Sequence, residues 1–113
     1  MATPHAAPGE LIDVRPLGAA LQQAKSVALI RSTHLEVMRL VLPTGGRIPV
    51  HQAPGEITVQ CLEGVLKFGM NSGTHTMRAG DLLLLPPEEP HWLEAVESAS
   101  AVSYTHLTLP TKA

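Results

Sequence analysis

Short apolar runs, each cut off by glycine, proline or asparagine within about ten residues, leave this chain few folds to choose from. "SVALIRS", "HLEVMRLVLP", "EITVQCLE", "VLKFGM", "THTMRA" and "DLLLLP" follow one another without an intervening helical period. The separators carry turn chemistry: Gly45 and Gly46 in "PTGGRIP", Pro54-Gly55, Glu63-Gly64, and Asn71 to Gly73. Glu63-Gly64 and Asn71 to Gly73 are expected to mark hairpins. Strands at this spacing form a sandwich or barrel rather than parallel βαβ units. Period-2 reading puts Met38, Leu40 and Leu42 on one face of their strand and Val37, Arg39 and Val41 on the other. Leu66, Phe68 and Met70 likewise share an apolar face opposed by Lys67. Leu82 to Leu85 show no alternation and are expected to be covered on both sides. Pro16 to Lys25 allows one short helix or turn with Leu17 and Leu21 together.

A chain of 113 residues forms one domain. Aromatic residues make up 3% of it, too few for a base-stacking platform, and a net charge of -2 with interspersed signs offers no basic stripe. Nucleic acid and membrane surfaces are therefore poor partners, and a small, weakly charged ligand fits better. Cys61 is the only cysteine, and its place in "ITVQCL" marks a buried small hydrophobe. Residues 1–10 read as a flexible lead with no apolar signal region, and no run approaches the roughly 20 residues of a membrane span. A cytoplasmic location is expected.

Chemistry rests on the histidines. Of six, His5, His34, His75 and His106 lie in the lead, at strand openings or in the tail, where a solvated surface role is expected. His51 follows "GGRIPV" and His91 follows "PPEEP", both beside turn residues. Gly45, five residues and His51, closed by Gly64, resemble the first motif of the cupin superfamily, G-x5-H-x-H-x(3,4)-E-x6-G. Gly80, five residues, Pro86 and then His91 resemble the second, G-x5-P-x-G-x2-H-x3-N. The resemblance spans about Leu35 to Ala95. It implies an all-β fold, the cupin double-stranded β-helix or jelly-roll-like barrel, over residues 11–101. In metal-binding members it also implies three histidines and a carboxylate or amide in the barrel mouth.

The departures are as informative. The second histidine of the first motif falls on Ala53 and the acidic ligand on Ile57; the second motif has Glu88 for its glycine and Ala95 for its asparagine. Two imidazoles fall short of the three or four protein ligands of zinc sites and of the two-histidine, one-carboxylate triad of non-haem iron. Glu56 and Gln60 are the candidates for a further ligand. They alternate with Ile57, Val59 and Cys61, and burying the apolar set is favourable by about 1.5 to 3 kcal/mol for each large side chain, whereas an unpaired buried carboxylate is costly. Glu56 and Gln60 are thus expected to face away, unless a bulge at Gly55 turns Glu56 back.

The leading expectation is a small-molecule pocket lined by His51, His91, Trp92, Ile57, Val59 and Cys61, with no tightly held metal and no assigned catalytic residue. The alternative is a metal-dependent dioxygenase, isomerase or decarboxylase in which His51, His91 and Glu56 or Gln60 hold iron, manganese, nickel or zinc. Metal-free acid–base catalysis by either histidine is a third reading. Trp92 has a plainer reading as a packing residue, and "EEPHWLE" as a solvated loop. An open sheet edge favours a homodimer.

The tail stands apart. Val102 to Thr111, "VSYTHLTLPT", resembles the in-frame translation of a sequencing adaptor, which would end the natural domain near Ala101 and leave residues 102–113 a non-native tail. On that reading Tyr104 and His106 have no function and a last strand is missing. The alternative is a genuine strand with Ala101, Ser103, Thr105 and Leu107 on one face, and Val102, Tyr104, His106 and Thr108 on the other.

Overall fold

The computed structural model describes residues 5–107; residues 1–4 of the expected lead and 108–113 of the expected tail lie outside the described residues. Among the described residues seven antiparallel strands follow one 3-10 turn at Gly18–Gln23: β1 (Val27–Arg31), β2 (Leu35–Leu42), β3 (Arg47–His51), β4 (Ile57–Met70), β5 (Gly73–Arg78), β6 (Leu82–Leu85) and β7 (His91–His106). The chain is all-β, as the punctuated apolar runs required.

Two long strands organise the rest. β4 and β7 pair from Ile57↔Thr105 to Met70↔His91, with irregularities between Cys61 and Leu66. At one end β2 pairs with Ala99–His106 of β7, β1 lies outside β2, and β6 pairs with Ile57–Gln60 of β4. At the other end β3 pairs with the start of β7, and β5 with Val65–Met70 of β4. The two ends form the layers of a jelly-roll-like barrel. Ile57, Val59 and Cys61 from one layer meet Leu66, Phe68, Leu93 and Ala95 from the other in a single apolar core.

The irregular stretch of β4 changes which side chains face in. Odd positions Ile57, Val59 and Cys61 are buried before it, and even positions Leu66 and Phe68 after it. Added residues in one strand of a pair shift the period-2 alternation in this way. Gly64 sits at the shift with φ of +79°, and a Cβ there would lie 2.1 Å from the Ser98 carbonyl oxygen. Glu63-Gly64 is thus a bulge within one 14-residue strand, and the expected hairpin is corrected. The expected hairpin at Asn71 is present as the β4–β5 turn.

Two other expectations change. "LLLL" does alternate: Leu83 and Leu85 pack on the core, while Leu82 and Leu84, on the opposite face, are 65% and 57% exposed. "EEPHWLE" is loop only up to Pro90, and His91 to Glu94 open β7.

The other face of β2 explains Arg39, which is 5% exposed. Its guanidinium donates to the carbonyls of Asp13 and Arg15, each at 2.9 Å. Beside it Glu63 accepts from the backbone N–H groups of Leu17 at 2.8 Å and Gly18 at 3.0 Å, and from the Ser100 hydroxyl. Burial pushes the Glu63 carboxyl up. The bonds from Ser100, Leu17 and Gly18, with the Arg39 charge, outweigh this and hold it below the usual carboxylate range. These contacts strap residues 13–18 across the sheet. β7 continues to His106, with Val102 1% and Ser103 8% exposed and Tyr104 turned out, so Val102–His106 of the segment that resembles an adaptor form the end of this strand.

Candidate ligand site

A cavity of about 390 Å³ opens between the layers, and its walls come from β2, β3, β4, β7 and the loop after His51. Met38 and Leu40 line it from β2, Ile48 from β3, Ile57 and Val59 from β4, and Leu93 from β7. Each sits on the inward set of its strand, so the same alternation that builds the core makes the cavity apolar. Its volume lies within the usual range for small-molecule pockets.

His51 ends β3 and His91 begins β7, and the pairing of these strands sets the two residues opposite each other. The ring centroids are 4.1 Å apart with planes at 57°. His91 is 3% exposed, and its other face stacks on Phe68 at 5.5 Å with planes at 4°. Burial chiefly pushes its pKa down; the Glu89 carbonyl bond opposes this, and the neighbouring His51 adds to it. His91 Nδ1 lies 2.9 Å from the Glu89 carbonyl oxygen, and His51 Nδ1 lies 3.1 Å from that of Pro49.

All four positions at which the sequence motifs place family ligands, His51, Ala53, Ile57 and His91, line this one cavity. Ala53 and Ile57 supply only apolar surface at two of them. Glu56 and Gln60 are absent from the lining; Gln60 instead donates to the Gly80 carbonyl at 3.4 Å. Among the described residues no group of three or more His, Cys, Asp or Glu side chains converges to hold a metal. The residues present therefore do not fit the three-histidine, one-carboxylate centre that the fold implies.

Two pocket assignments are corrected. Trp92, next to an inward residue on a strand, points to the other face: its ring covers Gly69, where an added Cβ would lie 1.9 Å from the indole, and sits 5.9 Å below the Arg47 guanidinium. Cys61 is fully buried in the core and does not reach the cavity. Its thiol approaches the Glu63 carbonyl at 3.5 Å, and burial, as the main cause, pushes its pKa up, which disfavours a reactive thiolate. The polar lining that sequence reasoning did not assign is Glu36, Gln52, Ser103 and Thr105. Glu36 shares its strand face with Met38 and Leu40, and that parity was the available signal.

Residues 38–107 match the family model of the cupin domain. The chain belongs to the cupin family. Solved structures agree on the fold of this cupin. A conserved protein of unknown function from Streptococcus pyogenes superposes with a TM-score of 0.73 at 21% identity, over 99% of this chain and 97% of that one. A cupin superfamily protein from Desulfitobacterium hafniense gives 0.73 at 16% identity, over 86% and 94%. A mutant salicylate 1,2-dioxygenase from Pseudoaminobacter salicylatoxidans gives 0.66 at 18%, over 73% of this chain and 25% of that one. At these identities the likeness shows the fold and leaves chemistry to the site. No curated protein matches the sequence. Among the described residues no helix is long and apolar enough to cross a membrane.

Proposed function

We propose that this cupin is a binding module for a small, largely apolar organic molecule held between the two barrel layers, with the His51–His91 pair as its polar contact. The observation that carries the reading is the replacement of two ligand positions by Ala53 and Ile57 inside a cavity of about 390 Å³. Such a cavity offers apolar walls and a few placed polar groups, the usual make-up of a ligand pocket. A metal-dependent reaction would need a third donor beside the two imidazoles; neither Glu56 nor Gln60 lines the cavity, and among the described residues Glu36, which does, forms no three-residue metal-holding group with them. We place the protein in the cytoplasm as a homodimer, joined along β6, whose exposed Leu82 and Leu84 flank a sheet edge.

Cavity filling tests the binding reading. Ala53 is half-buried at the cavity wall, so Ala53→Trp should occupy the space while leaving the core intact. Small aromatic fragments should raise the melting temperature of the unmodified protein and perturb its Ile57 and Val59 methyl signals, and both responses should vanish in the variant. Equal responses in the two proteins would place binding elsewhere and sink the proposal. Light scattering at varied concentration tests the dimer, which a monomer at all concentrations would refute.

A further inference from the structure

We propose that the cavity selects an uncharged, hydrogen-bond-donating head group, a phenol or alcohol on an apolar body, over a carboxylate of the same shape. The inference rests on the binding-module reading and narrows it to a ligand class.

The argument starts at the ring nitrogens. A backbone carbonyl oxygen only accepts hydrogen bonds, so a nitrogen bonded to one must carry the hydrogen. His51 Nδ1 faces the Pro49 carbonyl at 3.1 Å, and His91 Nδ1 faces that of Glu89 at 2.9 Å. A neutral imidazole has one N–H, and in both rings the local backbone takes it. Nε2 is then left with its lone pair on each ring, and both rings line the cavity. Two separate backbone stretches, Pro49 within β3 and Glu89 in the loop before β7, fix the same tautomer, so each cavity-lining ring keeps an acceptor at Nε2 in place of a donor.

Charge points the same way. Among the described residues no lysine or arginine lines the cavity. The one formal charge in the lining is the Glu36 carboxylate, and Arg31 pairs with it from outside. The donors that remain are neutral: the Ser103 and Thr105 hydroxyls and the Gln52 amide. A carboxylate entering here would lose its hydration, meet two imidazole lone pairs and find no cation. That loss is unfavourable without a charged partner. A hydroxyl group loses far less and gains an acceptor. A cationic head would be drawn to Glu36, but Arg31 already satisfies that carboxylate.

The test compares 4-ethylphenol, 4-ethylbenzoate and ethylbenzene, which share one body and differ at the head. Titrations followed by methyl and amide NMR at pH 8 keep the phenol neutral and the benzoate ionised. We expect 4-ethylphenol to bind about tenfold tighter than either of the others, the size of one satisfied hydrogen bond. Long-range proton–nitrogen spectra should show protonated Nδ1 and bare Nε2 in both rings. His51→Phe, at an exposed position, should erase most of the difference between ethylphenol and ethylbenzene. Benzoate binding as tight as phenol, ethylbenzene binding as tight as phenol, or a protonated Nε2 would each overturn the donor preference while leaving the pocket reading in place. Failure of all three probes to shift Ile57 or Val59 would remove the pocket reading and this inference together.

Discussion

If His51, Ala53, Ile57 and His91 converge, restoring the two missing side chains should create a metal site, and Ala53→His with Ile57→Glu is the direct trial. The metal-free cost follows from the structure. Ile57 is 5% exposed, so removing it forfeits about 2 to 3 kcal/mol of apolar burial, and the new carboxylate loses roughly another 2 kcal/mol or more until it is paired or protonated. A domain near 100 residues shifts its melting temperature by about 4 to 8 °C for each kcal/mol. The double variant without metal should therefore melt about 15 °C or more below the parent. An ion at a thousand times its dissociation constant restores about 4 kcal/mol, which should recover most of that loss. Differential scanning calorimetry in chelator and then in zinc or manganese, at neutral pH, reads both steps. Ala53→His alone, at a half-buried position, tests three imidazoles at little cost and guards against a double variant that does not fold without metal. Folded variants whose melting is indifferent to metal would show that these four side chains do not converge, and the cavity described here would be wrong.

Three further outcomes are expected. Gly64→Ala meets a positive φ of +79° and a contact at 2.1 Å from a backbone oxygen, so it should destabilise by about 2 to 4 kcal/mol in denaturant unfolding; a change below about 0.5 kcal/mol would refute the bulge. His91 has a folded-state pKa below its unfolded value, so the unfolded chain binds the proton more readily, and stability is complete above about pH 6.5 and falls as pH drops from there to the folded pKa. Unfolding at stepped pH should show that slope in the parent and lose it in His91→Gln. A chain ended after Ala101 gives up Val102–His106, which pair with both β2 and β4, and should melt lower or associate through the exposed edges; equal melting of the two lengths would mean that the end of β7 contributes nothing.

How much of this was legible in the sequence depends on which residues carry two messages. The parity of "LEVMRLVL" placed Met38 and Leu40 correctly, because Met38, Leu40 and Leu42 follow one another on one strand face. The motif glycines located His51 and His91, because turn residues fix where strands end. What the sequence hid lies where partners decide. "LLLL" reads as a doubly covered strand, yet only Leu83 and Leu85 pack on the core, and nothing local reports whether a second layer will cover a strand's other face. In the sequence β3 looks like a separator, since proline and glycine crowd "GGRIPVH". Its role emerges from pairing with His91–Glu94, a stretch that "EEP" makes look like loop.

The same reasoning separates the two histidines from the four others. A surface imidazole and a cavity imidazole have identical side chains, so sequence could rank them only by neighbouring turns. The structure sets His51 and His91 apart by placing them opposite each other on one cavity; Pro49 and Glu89 stand two residues before them, and their carbonyls accept from Nδ1. A carbonyl two residues back, that of Pro49 within β3 and that of Glu89 in the loop before β7, thus sets the tautomer in both. An acceptor pair of this kind suits metal binding when a third and fourth ligand are present, since a bound metal also needs the Nε2 lone pair. With Ala53 and Ile57 in those places, the lone pairs remain oriented but uncommitted. Apolar side chains at two motif positions beside two tautomer-fixed imidazoles give the cavity apolar walls together with hydrogen-bond acceptors, and the proposed ligand preference rests on that pairing.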